Sequence, residues 1–461
     1  MTQVITPRPP DVAAAASRRR WVALGAVLLA TFMGVVDAAI VTVAVPSIQD
    51  GLHATFGEAQ FVAAGYTLAY AVGLVTGGRL GDRYGRRRTF LTGVVLFVLA
   101  SVACAAAPSA LALVGARVAQ GLAAAVMLPQ VLSIIQDGFT GRARATALGA
   151  YGATIGLASI AGQVVGGALL SWNPLGLEWR SAFLVNVPIG AVALVVASRT
   201  VHESHGARAR IDLVGAGLLA LALVALLLPP VLGKGWPLVA AGVAVLAVFA
   251  RVERRQADPL VPLRLLTQRR VVRGLLTVLA FYTGTAGFFL LLAYHLQAGL
   301  GLDPLGSGLV FAPLGVGFAV TSLAGRRLGG PAFGPVLMTA GLGGVLAVVL
   351  AVPQDGQTVW LLPALALCGA GQGLVAPPLI GTVLGEVDPS DAGAASGVLL
   401  TATQIANATG VTLIGGLFAR ALGSTPGTSG LPFTSYTHAT AVTAAAVLVL
   451  AAVTGLLTRN R

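Results

Sequence analysis

An all-α integral membrane protein of about fourteen transmembrane helices is the fold class this sequence predicts. Three observations predict it. Of the 461 residues, 56% are hydrophobic and only 10% charged, against about a quarter charged in soluble domains. The basic residues fall almost wholly on one side of the apolar runs. Weak internal matches recur at a near-constant offset.

A membrane span needs roughly 20 apolar residues. The first run, 22–47, follows a polar, proline-bearing stretch, 1–20, that ends in Arg18-Arg19-Arg20 and reads as a disordered cytoplasmic tail. The run itself is too long for the apolar region of a cleaved signal peptide. Runs at 58–79 and 88–106 flank the densest cluster of charge in the chain, and 110–135, 145–171 and 180–200 complete a first set of six. Two more follow at 212–232 and 236–252, with Pro229-Pro230 crowding their junction. A second set of six occupies 271–297, 304–324, 332–351, 357–384, 392–418 and 437–457.

The arginines orient this map. Twenty-five of the 29 basic residues fall on one side of it. Arg180, Lys234 and Arg420 fall on the other, and Arg117 lies within a span. Basic loops mark the cytoplasmic side, so both termini are expected there, in a multi-pass protein of the cell membrane. The net charge of +13 sits in short loops between apolar runs. That distribution excludes a nucleic-acid-binding face. Lys234 is the one lysine beside 28 arginines, a bias of coding composition. Cys104 and Cys368 lie inside apolar runs, so neither a disulfide framework nor a metal cluster is expected.

Gln120-Gly121-Leu122 recurs as Gln372-Gly373-Leu374, an offset of 252, Gly149 matches Gly397 at 248, and Arg79 is echoed by Arg326 at 247. A constant offset implies two parallel six-helix bundles, 21–200 and 257–458. The two remaining helices then lie in a linker, 201–256, with charged cytoplasmic stretches at 201–211 and 253–270.

Gly77-Gly78-Arg79-Leu80-Gly81-Asp82-Arg83-Tyr84-Gly85-Arg86-Arg87-Arg88 packs five arginines and an acid between two spans. It resembles the signature loop between helices 2 and 3 of the major facilitator superfamily, carried by Gly78, Asp82, Arg83, Gly85, Arg86 and Arg87. The resemblance implies that superfamily's fold, two six-helix bundles, here with two extra helices between them. It also implies a latch, in which Asp82 faces the positive end of the helix that starts near Asp391–Gly393. The alternative is a solvated charge in a topology-setting loop.

Asp37 is the one acid deep in a predicted span, where an ionisable group costs about 2.5–3.5 kcal/mol on insertion scales. It is the leading candidate for a reversible proton site; the alternative is a structural carboxylate that locks helices together. The stretch Asp37–Pro46 resembles the Asp-x-Thr-Ile-Val-Asn-Val-Ala-Leu-Pro run of the fourteen-helix drug:proton antiporters, departing from it at Ala39 and Thr42. Arg117 is the one basic residue at similar depth. Asp37 lies roughly 14 Å and Arg117 roughly 10 Å from the outer end of their helices, so the two can meet if those helices are neighbours. Arg117-Val118-Ala119-Gln120-Gly121 resembles the Arg-x-x-Gln-Gly motif of proton-coupled facilitators, which implies that the arginine tunes a nearby acid. A guanidinium favours the carboxylate, while burial favours the neutral acid.

Gly162, Gln163, Gly166 and Gly167 resemble the antiporter motif Gly-Pro-x-x-Gly-Gly, with Gln163 in place of the proline. Glycines at this density also serve plain close packing. Trp179-Arg180-Ser181-Ala182-Phe183-Leu184-Val185-Asn186-Val187-Pro188-Ile189-Gly190 resembles the start of helix 6 in the fourteen-helix family and reads as an interfacial anchor. Tyr66 and Tyr70, Gln404 and Asn407, and the mid-span Tyr282 and Gln372 are expected either to line a substrate cavity or to hydrogen-bond helices together. His295, near the outer end of its run, reads as an interfacial histidine; the alternative is a second proton site.

No nucleotide loop, nucleophile motif or paired catalytic carboxylate occurs in the sequence. The expectation is therefore a transporter and not an enzyme, without a cofactor, driven by the proton gradient. By resemblance it is a proton-coupled antiporter that exports lipophilic or cationic drugs or toxic small molecules by alternating access, working as a monomer in the lipid bilayer. The rivals are a dedicated exporter of one endogenous metabolite or antibiotic, and a non-transporting membrane sensor or scaffold.

Overall fold

The computed structural model describes residues 10–459 except 55, 174–175, 207–211, 233–234, 236, 257–267, 325–332, 386, 389–390 and 424–431. The first half comprises α1 (Pro10–Leu52), α2 (Phe56–Tyr84), α3 (Arg86–Ala105), α4 (Ala110–Gly138), α5 (Gly141–Trp172), α6 (Ser181–Leu184) and α7 (Asn186–Thr200). Two intervening helices follow, α8 (Leu213–Leu232) and α9 (Pro237–Glu253). The second half comprises α10 (Arg269–Tyr294), α11 (Pro304–Ala324), α12 (Gly334–Ala351), α13 (Gln354–Gly385), α14 (Ala392–Leu422) and α15 (Phe433–Arg459). The short α6 and α7 together form a single span, Glu178–Thr200.

Among the described residues twelve helices are long and apolar enough to cross a membrane, not the fourteen expected. The segments expected at 212–232 and 236–252 are helical but short. The apolar stretch of α8, Val214–Pro229, rises about 24 Å, less than the roughly 30 Å of a hydrocarbon core. The 17 residues of α9 fall short as well.

Helix ends correct the sequence reading at two other places. α1 begins at Pro10, so the latter half of the expected tail is helical. The expected loop 77–88 is almost entirely helix. α2 runs to Tyr84 and α3 starts at Arg86, leaving Gly85 alone at the turn with φ 102°. A left-handed backbone of that kind is open to glycine and strained for other residues.

The two halves repeat one packing pattern: α2 lies on α4 and α3 on α4, as α11 lies on α13 and α12 on α13. They meet along two seams, α2 against α14 and α5 against α11. Small residues permit both. A Cβ on Gly78 would run into the Gly393 carbonyl, and one on Gly149 into the Ser322 carbonyl. The α8–α9 pair does not stand clear of these seams. Leu219, Leu223 and Phe249 bury against Val75 of α2, with Val398 and Ile405 of α14 beside them. The pair therefore lies over the α2–α14 seam and touches both halves.

Candidate functional site

A closed polar cluster occupies the interior of the first half. Asp37 of α1 and Arg117 of α4 form an ion pair at 2.6 Å, and both are fully buried. Asp37 Oδ1 accepts from Gln120 Nε2 at 2.9 Å and from Asn186 Nδ2 at 2.7 Å. Gln120 and Asn186 also donate to Ser101 Oγ of α3, at 2.8 and 3.2 Å. Arg117 has further partners of its own. Its Nε donates to the Val62 carbonyl at 3.1 Å and its NH1 to Gln120 Oε1 at 2.6 Å. Its guanidinium lies 4.3 Å from the Tyr66 ring centroid. Helices α1, α2, α3, α4 and α7 thus all contribute to the cluster, α2 and α4 with two groups each. Buried charges persist when paired and hydrogen-bonded in this way.

A second polar cluster lies at the end of the bundle where α2 meets α14. Asp82 is fully buried, and its carboxylate accepts from the backbone N–H groups of Gly393 and Ala394 at 3.2 and 3.1 Å. These are orphan donors at the start of α14, where the helix dipole is positive. Arg86 ties Asp82, at 3.3 Å, to Asp137 of α4, at 3.1 Å. Arg79 of α2 faces Asp391 across the seam at 3.8 Å. Gln136 Nε2 donates to the Leu384 carbonyl at 2.8 Å, a further bond between the halves. Glu203, just beyond α7, accepts from the N–H groups of Arg87 and Arg88 and so caps α3. Arg87 also donates to the Ser198 carbonyl. Arg83 lies over the Tyr84 ring at 5.3 Å.

A cavity of about 130 Å³ opens between the halves, walled by α5 on one side and by α10, α11 and α13 on the other. Tyr282 and Gln372, two of the six expected lining residues, are there. The other four are not. Tyr66 is stacked between Arg117 and Tyr70, whose ring is 6.1 Å away. Gln404 and Asn407 lie 3.4 Å apart within α14, as a hydrogen-bonded pair.

The glycines of α5 face two ways. A Cβ on Gly162 would press on Ala39 of α1, and one on Gly166 would touch Ile40. Gly167 faces Leu305 of α11 instead. The side chain of Gln163 lies outside the described residues, as do Lys234, Arg326 and Arg327.

Three residues play a part the sequence reading missed. Asn186 belongs to the stretch expected to be an interfacial anchor, yet its amide reaches Asp37. Gln120 stands in the Arg-x-x-Gln-Gly pattern, whose resemblance implies a role for the arginine alone. Ser101 carried no sequence signal. His295 is fully buried at the end of α10, in a π-helical turn, His295–Gly299, with Nε2 2.8 Å from Gln357 Oε1 and Nδ1 3.1 Å from Thr440 Oγ1. Asp37 is also not alone as a buried acid, since Asp82, Glu253 and Asp391 are buried at helix ends.

Comparison with known proteins agrees with this architecture. The profile of the family described as Major Facilitator Superfamily matches residues 27–411. A probable actinorhodin transporter of Streptomyces coelicolor is 40% identical over 88% of this chain and 74% of its own length. The puromycin resistance protein pur8 of Streptomyces alboniger is 37% identical over 86% of this chain and 81% of its own. Among solved structures, the human organic anion transporter MFSD10 (TETRAN) superposes with a TM-score of 0.65 at 17% identity, covering 98% of this chain and all of that one.

Proposed function

The chain belongs to the Major Facilitator Superfamily, a family of multi-pass membrane transporters, and from that premise we propose that it is a proton-driven exporter of lipophilic, antibiotic-like small molecules. Its motifs resemble those of the drug:proton antiporters, and α8 and α9 are a pair of shorter helices added between the halves. It works in the cell membrane as a monomer with both termini cytoplasmic, and it needs no cofactor beyond the proton gradient.

The observation that carries this reading is the Asp37–Arg117 pair at 2.6 Å in a fully buried cluster. A proton on Asp37 removes the charge that Arg117 pairs with. Breaking a buried pair usually strands the partner charge at a cost of several kcal/mol. Here Arg117 keeps the Val62 carbonyl, Gln120 Oε1 and the Tyr66 ring. The cluster can therefore accept and lose a proton without leaving a bare cation. Because Asp37 is fully buried, each exchange requires the bundle to open. That requirement couples protonation to alternating access. The gradient supplies about 2.3 kcal/mol per charge for each 100 mV, besides its pH component.

The test is Asp37→Asn, purified and reconstituted in liposomes. Insertion and folding are expected to persist while transport driven by a pH gradient is lost. Normal gradient-driven transport by the Asn variant would sink the reading.

The narrower reading, a dedicated exporter of one antibiotic or metabolite, draws on the two relatives named for single antibiotics. Sensitivity profiling of an efflux-deficient host separates the two. Protection against one compound class supports the dedicated exporter, and protection across unrelated classes supports the multidrug reading.

A further inference from the structure

We propose that the cavity between the halves is a slot for an uncharged, planar, fused-ring aromatic molecule carrying a hydrogen-bond donor and an acceptor. This rests on the reading of the chain as a small-molecule exporter and narrows its substrate class.

The slot has two unlike walls. On α10 and α11, Phe289 and Phe311 stack at 5.2 Å with their rings only 3° from parallel. Phe281 and Tyr282 meet edge to face at 5.0 Å beside them. The opposite wall is formed by Gly152, Ile155, Gly156, Ser159 and Ile160 of α5. A planar ring system laid against the aromatic wall extends the Phe289–Phe311 stack. At about 130 Å³ the slot is smaller than the roughly 300–1,000 Å³ of ordinary drug-sized pockets.

Charge is excluded by what the lining lacks. Every polar residue that lines the cavity is neutral: Ser159, Tyr282, Thr285 and Gln372. The Ser159 and Thr285 hydroxyls donate back to their own helices, to the Ile155 and Phe281 carbonyls. That leaves the Tyr282 hydroxyl and the Gln372 amide. Among the described residues the one hydrogen bond of Gln372 is a long contact with Cys368 Sγ at 3.6 Å. A phenol donor and an amide facing one slot fit a ligand carbonyl and a ligand N–H or O–H. The carboxylate a cation would seek, Asp37, is bound to Arg117, Gln120 and Asn186 and does not line the slot. The aromatic faces attract cations, but two of them are turned onto each other. Burying a cation with no counter-charge costs more than a phenyl face returns.

The test compares two probes of one shape, acridone, which is neutral, and 10-methylacridinium, which is cationic. Saturable binding is measured by equilibrium dialysis against the full chain in lipid nanodiscs without a proton gradient, with empty nanodiscs subtracted. Acridone is expected to bind at least tenfold more tightly than 10-methylacridinium. Phe311→Ala and the near-isosteric Gln372→Leu are each expected to weaken acridone binding at least fivefold; if the Ala variant misfolds, the Leu variant carries the test. Equal or tighter binding of the cation, or acridone binding indifferent to Gln372→Leu, overturns the proposal. Gradient-driven transport in liposomes is scored separately. Acridone binding without proton-driven transport upholds this inference while the proton-driven reading fails. Proton-driven efflux of another probe without acridone binding overturns this inference and leaves that reading standing.

Discussion

Asp37 is held by three donors from two other helices, and the least expected of them is Asn186. If Asn186 only anchored the start of α7, its loss would add independently to any change at Asp37. As a donor to the carboxylate it should not. We expect Asn186→Ala and Asp37→Asn to show a coupling of about 1.5–3 kcal/mol in a double-mutant cycle of thermal stability, the range for hydrogen bonds to charged groups. Strict additivity would reduce Asn186 to an anchor. The contrast also shows what one sequence can reveal about a site. Asp37 and Arg117 were legible because a charge deep in an apolar run is costly wherever the run packs. Asn186 and Ser101 were not, because an amide or hydroxyl near a helix end has many uses. Only the meeting of α1, α3, α4 and α7 assigns theirs. Tyr66 was open to two readings for the same reason, and its ring lies against Arg117.

α5 is the element that links the buried pair to the slot. One of its faces packs on α1 through Gly162 and Gly166, and another packs on the second half through Gly152 and Gly156. A Cβ at Gly156 would come within 2.6 Å of the Phe318 ring, which belongs to the second half and lines the slot. A Cβ at Gly162 would press on Ala39, two residues along α1 from Asp37. The two positions therefore predict different defects from the same small change. Gly162→Ala overpacks the interior of one bundle and should lower thermal stability by about 1–3 kcal/mol. Gly156→Ala should leave the melting transition nearly unchanged, because the halves can separate slightly. It should instead reduce transport about tenfold and loosen the slot. Melting curves and transport rates of the two variants check this; the opposite assignment of defects would refute a two-faced α5. The glycine density that located this helix in the sequence could not say which face met which partner. Gly85, in contrast, sits where a loop was expected but only a one-residue turn exists, since propensity alone does not show how far α2 and α3 continue beyond the apolar core.

At the scale of the whole molecule, the two halves are joined at one end by polar bonds and along both seams by glycine contacts. The repeat of near-constant offset made the two-bundle plan legible, and the arginine asymmetry made the count of crossings testable. It could not foresee that α8 and α9 would lie over the α2–α14 seam and bury Leu223 and Phe249 there. This seam contains the Asp82 bonds to Gly393 and Ala394. Removing that carboxylate with Asp82→Ala deletes two bonds to a buried charge and leaves two helix-terminal N–H groups without their acceptor. Each such bond is worth about 1.5–3 kcal/mol before water compensates in the opened state. A net change near 1.4 kcal/mol is tenfold in population, so at least a tenfold shift toward the state open at this end is expected. Spin labels at Ala143 of α5 and Leu456 of α15, both exposed at that end, read the separation directly. The label distance in Asp82→Ala should lengthen, while affinity for a probe in the slot, measured on molecules trapped in the closed form, should not change. Leu223→Ala should move the same distance in the same direction, though less, because α8 clasps the seam through apolar contact alone. Unchanged distances in both variants would reduce Asp82 to a charge that sets topology and packing alone, and α8 to a passive cover.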